Sequence, residues 1–167
     1  MTKTSMLALV SIASLLAAGA TQADETIGKW SYTEHRDPIT DQVRAVAMDV
    51  GDRGIVSVKC DAPGPQSVYV QVTATQYLGG DGGDYGHRTV IVRLDRGAPQ
   101  ESTWVYTGDY AFLLPRDGAT DLAHSISAST TGAFRLSSYE GAQVDVVVNL
   151  AGAQAAIDKV FSTCASK

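Results

Sequence analysis

The chain has 167 residues, with 13 Lys and Arg against 18 Asp and Glu, 44% apolar residues and 19% charged ones. That size and apolar fraction suit an ordinary globular core, and 16 Gly and 5 Pro without a low-complexity tract argue against disorder and collagen-like repetition. A formal net charge of −5 argues against nucleic acid and anionic membrane surfaces as main partners, because both require a basic footprint.

The chain opens with the tripartite layout of a secretory signal. Lys3 supplies the positive start, and residues 6–18 form an almost unbroken apolar run. Small residues then lead to Thr21-Gln22-Ala23, with acidic Asp24 and Glu25 directly after. Cleavage after Ala23 fits best, and Ala18-Gly19-Ala20 offers an earlier site. The run is shorter than the ~20 residues that a membrane crossing needs, and no cysteine follows it to carry a lipid. Residues 1–23 are therefore expected to be a removed signal peptide, and residues 24–167 a single exported, β-rich domain. Removing Lys3 makes the net charge of −5 one unit more negative.

Period-2 alternation dominates the chain beyond the signal. Residues 29–34 and 42–50 are weak strand candidates. Gly54–Cys60 is stronger, since Val56, Val58 and Cys60 share one face and point Cys60 into the core. In residues 67–75, Val68, Val70, Val72 and Ala74 oppose Tyr69, Gln71, Thr73 and Thr75; in 89–95, Val90, Val92 and Leu94 oppose Ile91, Arg93 and Asp95. Weaker patterns cover 102–107, 110–114 and 133–139, and residues 143–150 place Val144, Val146, Val148 and Leu150 together. One-sided alternation of this kind implies antiparallel strands with a solvated face. Two stretches carry the helical period instead. Ala119–Ser127 aligns Ala119, Leu122, Ala123 and Ile126, with Asp117 placed to cap it. Residues 151–164 align Ala153, Ala156, Ile157, Val160, Phe161 and Cys164. The expected fold is mostly β: an antiparallel, β-sandwich-like domain with a C-terminal α-helix and a second short helix packed on it.

Cys60 and Cys164 are the only cysteines, 104 positions apart. In an oxidising compartment an even count favours one disulfide, and an inward strand position facing a helix stripe agrees with that. Two free buried thiols are the alternative. No CxxC or HxxxH spacing supports a metal site, and no histidine lies close in sequence to either thiol.

The run Gly79-Gly80-Asp81-Gly82-Gly83-Asp84-Tyr85-Gly86 nearly satisfies the repeated unit of calcium-binding β-rolls, whose carbonyls and carboxylates form an oxygen-rich shell. Such sites form between stacked copies, and here there is one copy. A glycine-rich turn between two strands is the simpler reading, and the loop is the chain's obvious candidate for inserting into a partner. His35, His87 and His124 fall on different elements, and there is no GxSxG elbow, so no nucleophilic site is assembled. Glu34 and Asp37 around His35-Arg36 read as a solvated strand end. Trp30, Trp104, Tyr32, Tyr69 and Tyr106 are spread over several strands, which suits core packing better than a binding row.

The order of features also carries a family likeness. Gly28-Lys29-Trp30 is followed by Asp37-Pro38-Ile39-Thr40-Asp41, then Val56-Ser57-Val58-Lys59-Cys60 and Tyr77-Leu78-Gly79-Gly80. Val92-Arg93-Leu94-Asp95, Gly97 and Trp104 come next, and the chain closes on residues 146–150 and a small-residue helix ending at Cys164. In this order and spacing the chain resembles the VasI/TagO-type family of exported proteins associated with type VI secretion. It departs from the pattern in a long glycine loop and in lacking an aromatic before Arg93. The resemblance implies a small periplasmic β protein without catalytic residues or cofactor, serving a cell-envelope machine. The expected function is thus a non-enzymatic accessory protein that binds another envelope protein, with a small binding module or inhibitor of a lytic envelope enzyme as the alternative. Nucleic acid and stable membrane insertion after signal removal are not expected.

Overall fold

The computed structural model describes residues 23–80 and 86–165. The signal-like segment, except Ala23, lies outside those residues, as do Asp81, Gly82, Gly83, Asp84 and Tyr85 with the calcium reading of their run. In the described part the chain forms β1 (Ala23–Ile27), β2 (Trp30–Arg36), β3 (Val43–Gly51), β4 (Gly54–Cys60), β5 (Val68–Ala74), β6 (Gly86–Leu94), β7 (Gln100–Thr107) and β8 (Tyr110–Leu113). Helix α1 (Ala119–Ser127), β9 (Thr131–Ser137), β10 (Gln143–Asn149) and helix α2 (Ala153–Ala165) complete it, with short 3-10 turns at Pro65–Ser67 and Pro115–Asp117.

The mostly β, antiparallel fold expected from the alternation is what forms. Its strands make one continuous sheet rather than two separate ones, in the order β1-β2-β3-β4-β5-β8-β7-β6-β9-β10, every neighbour antiparallel. After β5 the chain skips ahead, and the meander β6–β7–β8 returns so that β8 closes against β5. The sheet then curls back on itself. Beyond β9, strand β10 packs across β3 and β4 and bridges to the β3–β4 turn, where the Asp52 amide donates to the Val147 carbonyl and the Val147 amide to the Asp52 carbonyl. Two glycines permit this approach. A Cβ on Gly54 would lie 2.8 Å from a Val146 methyl, and one on Gly51 would overlap the Val147 carbonyl.

One face of the sheet lies inside throughout. Trp30, Ala45, Ala47, Val56, Val58, Val70, Val72, Val90, Trp104, Tyr106, Phe134, Val144 and Val146 are buried in a single cluster. Burial of a Val- or Phe-sized side chain is worth about 1.5–3 kcal/mol against exposure, so this face holds the curl closed. Helix α2 lies over β2, β3 and β4 and also meets α1, which in turn packs on β5. Its stripe Ala153, Ala156, Ile157, Val160 and Cys164 is buried as the helical period predicts. Cys164 is disulfide-bonded to Cys60 on the inner face of β4, Cα to Cα 6.4 Å, so the bond staples the last helix to the sheet. Around it the Tyr32 phenol donates to Glu34 at 2.9 Å and meets the Thr163 hydroxyl at 2.8 Å, and Lys159 pairs with Glu25.

Two expectations need correction. The cap of α1 is Gly118, in the left-handed region at φ 95°, and no side chain caps it. Asp117 instead ends the 3-10 turn that Pro115 opens. Strand β1 begins at Ala23, the last residue of the signal-like segment, where the sequence suggested no strand; it pairs with β2 from Ala23 opposite Glu34 to Ile27 opposite Trp30. No helix among the described residues is long and apolar enough to cross a membrane.

Candidate functional site

In an up-and-down sheet alternate turns gather at one end. Here the β3–β4 turn, the β5–β6 connection, the β7–β8 turn and the β9–β10 turn share an end, because Gly54 pairs with Ala74, Thr73 with Tyr110, Gly86 with Tyr106 and Gln143 with Ser137. The exposed large apolar side chains among the described residues are Ile39, Val50, Tyr77, Tyr110, Tyr139 and Val147. All but Ile39 belong to this end or, in Val147, to the strand bridged to it. Singly exposed apolar residues need no explanation, whereas their grouping makes this end the candidate interaction surface.

Its centre is the pair Tyr77 and Tyr139. They are 49% and 64% exposed, with ring centroids 5.6 Å apart at an interplanar angle of 68°. That edge-to-face arrangement is the one favoured by the ring quadrupoles. The Tyr139 phenol donates to Glu140 at 2.9 Å, and this hydrogen bond, reinforced by the carboxylate's charge, pushes the phenol above its ordinary pKa.

A rigid base carries the pair. Leu78 is buried, and the amides of Leu78 and Gly79 donate to the Gly108 carbonyl at 2.7 and 3.1 Å. Gly79 and Gly80 take left-handed conformations, φ 93° and 103°. A Cβ on Gly79 would come within 2.6 Å of the Tyr139 Cβ, and one on Gly80 would strike the Tyr106 carbonyl. Glycine is needed at both positions for conformation and for room. On the other side, the Ser138 amide donates to the Ala142 carbonyl at 2.8 Å, and the Ser138 hydroxyl accepts from the Ala142 amide at 3.1 Å.

Arg88 joins the two walls. Its Nη1 donates to the Leu78 carbonyl at 2.9 Å and to the Ser137 carbonyl at 2.7 Å, while its guanidinium carbon lies 4.1 Å from the centre of the Tyr106 ring. Burial pushes the Tyr106 phenol up in pKa, partly offset by the Ser137 amide and the Arg88 charge. One side chain thus fixes the segment bearing Tyr77 relative to the turn bearing Tyr139.

The residues singled out from sequence divide cleanly. Cys60 and Cys164 are bonded. Gly79 and Gly80 form the base just described, and Gly86 opens β6. His35 lies on β2, His87 on β6 and His124 on α1, where it stacks on Phe161 at 4.5 Å; no hydrogen bond joins any of their rings to a serine among the described residues. No group of three His, Cys, Asp or Glu able to hold a metal ion occurs among the described residues. Trp30, Tyr32, Trp104 and Tyr106 are core, whereas Tyr69 lies half-buried on the outer face, its phenol donating to Asp61 at 2.6 Å. In sequence Tyr77 stands out only within the Tyr77-Leu78-Gly79-Gly80 motif, and Tyr110 and Tyr139 only as the ends of weak strand patterns; nothing there singles out these tyrosines or Arg88 for a site. A surface groove of about 620 Å³ between Gln66, Leu114, Pro115, Arg116 and Thr120 is at the opposite end of the strands.

Comparison with known proteins adds a fold relation alone. No family model matches the chain, and no curated protein does. Among solved structures it is similar to the crystal structure of invasion associated protein B from Bartonella henselae, with a TM-score of 0.53 and 15% identity over 84% of this chain and 96% of that one.

Proposed function

We propose that this chain is a non-catalytic accessory protein of the bacterial periplasm that binds another envelope protein through the tyrosine-bearing end of its sheet. The observation that carries this reading is the Tyr77–Tyr139 pair, exposed yet mounted on a base that Arg88, Gly79 and Gly80 hold rigid. A preorganised aromatic surface loses little entropy on binding, and tyrosine is enriched where proteins meet. A buried disulfide supports an oxidising compartment, and the signal-like first 23 residues supply the route there. The order of motifs shared with the VasI/TagO-type family makes a type VI secretion apparatus the machine proposed.

The test is a photoreactive amino acid placed at position 110, at the same end but outside the tyrosine pair, in the native host, with position 39 at the opposite end as control. A defined envelope protein crosslinked from 110 and not from 39 is the expected result. Absence of any crosslink from 110 overturns the reading.

A second reading rests on Gly79 and Gly80, which launch the β5–β6 connection from a fixed platform. A loop so mounted suits insertion into the cleft of a lytic envelope enzyme. Deleting residues 82–84 should then abolish inhibition of that enzyme, and unchanged inhibition rejects it.

A further inference from the structure

Three of the tyrosines among the described residues donate their phenol proton to a carboxylate. Tyr32 donates to Glu34 at 2.9 Å, Tyr69 to Asp61 at 2.6 Å and Tyr139 to Glu140 at 2.9 Å. In the first two a lysine completes the arrangement: Lys159 Nζ lies 5.3 Å from the Tyr32 ring centre, and Lys59 Nζ lies 5.6 Å from that of Tyr69. Both are within the ~6 Å over which an ammonium is drawn to a ring face. The physical link is direct. A phenol that donates to a carboxylate is richer in electrons, so its ring face is more negative, and the carboxylate adds a full charge nearby.

The third unit has the same two parts, yet no lysine or arginine of the described residues lies over the Tyr139 ring. The basic side chain built into the site, Arg88, is turned inward and occupied by two carbonyls and the Tyr106 ring. The ring is 64% exposed and the net charge of the chain is −5, so the unit is open and the surrounding field favours a cation.

We infer that Tyr139 and Glu140 form a receptor for a lysine or arginine side chain of the protein partner, whose basic segment docks on the tyrosine-bearing end with its cation over the Tyr139 ring. This rests on the function proposed above and names the chemistry of the partner. The Tyr77 ring, standing edge-on, forms the side wall, and Arg88 acts as a positioning residue that holds the two walls together.

The experiment uses the exported chain with its disulfide intact and tyrosines carrying a ¹³C label, titrated with hexalysine. Hexaglutamate serves as the charge control and chitotetraose as an uncharged glycan. Hexalysine should shift the Tyr139 ring resonance, and its affinity, followed in every variant by the neighbouring Tyr77 ring resonance, should be about two- to fivefold weaker in Tyr139→Leu and in Glu140→Gln. Glu101→Gln removes the same charge elsewhere and should leave the Tyr139 shift in place. The inference is overturned if both site variants bind hexalysine as the parent does, or if chitotetraose shifts Tyr139 and hexalysine does not. These exposed variants keep the core, which an unchanged melting temperature verifies. The two levels also separate in the crosslinking assay. A crosslink from position 110 that is indifferent to Glu140→Gln sinks the cation receptor and leaves the binding function standing, whereas no crosslink removes the function itself.

Discussion

Asp95 ends β6 with φ 49°, a left-handed conformation that aspartate tolerates better than most residues. Its Oδ1 accepts from the Thr130 hydroxyl at 2.7 Å and from the Thr130 and Thr131 amides at 2.9 Å each, tying the end of β6 to the segment that enters β9. The Thr130 hydroxyl and then the Thr131 and Thr130 amides hold its carboxyl down at about 2. A folded pKa below the unfolded one gives stability that is complete above the unfolded value near 4 and is lost as pH falls toward 2. Asp95→Asn keeps the conformation and an acceptor oxygen but cannot titrate. Its melting temperature should change less than the parent's between about pH 4 and pH 2, and parallel curves would refute this. Asp49 has the opposite sign. It is 6% exposed on the inward face of β3, and burial pushes its carboxyl up, partly offset by the Val50 amide and Lys29. The stability it lends is present at low pH and lost as pH rises through the raised value. Asp49→Asn should therefore melt higher than the parent at pH 7, with the gain shrinking toward pH 4 in calorimetry.

Among the elements, the disulfide between β4 and α2 is the largest single covalent contribution. Replacing both partners, Cys60→Ser with Cys164→Ser, should lower stability by about 2–4 kcal/mol, the usual range for a disulfide and below the ~4.7 kcal/mol that chain entropy alone sets for a loop of this length. A urea midpoint equal to the parent's would show that hydrophobic packing of α2 suffices without the bond. Sequence made this pairing legible because Val56, Val58 and Cys60 alternate inward while Cys164 falls on the apolar stripe of α2. The same alternation located β4, β5 and β10 within a residue or so, since one face of each is fully apolar and buried while polar residues interrupt the other. Strand β1 was hidden because Asp24 and Glu25 are poor strand formers. Its pairing with β2 and the contact of Glu25 with Lys159 are tertiary, and no local pattern encodes them. Asp117 was misplaced as a cap because Pro115 presets a tighter turn just before α1. The aromatic site was least legible of all. Tyr77 and Tyr139 meet only because β6 and β9 are neighbours, and strand order is not written in period-2 patterns.

At the scale of the whole molecule, closure of the curled sheet depends on the two glycines beneath β10. Gly54→Ala pushes a methyl against Val146 and the Thr73 carbonyl, so it should cost about 1–3 kcal/mol, as overpacking does. Equal stability in urea would mean that β10 shifts freely over β3 and β4. The disulfide has a further consequence for how the molecule comes apart. Cys60 and Cys164 close a covalent ring that contains β5 to β10, α1 and nearly all of α2, with β1, β2, β3 and all of β4 but Cys60 outside it. The connection between Gly80 and Gly86 is part of that ring. A protease that cuts there opens the ring without releasing a fragment. The nicked protein should run as one band on a non-reducing gel and as two after reduction, and because the tyrosine-bearing turns stay anchored by the sheet, a single cut need not silence the surface it borders.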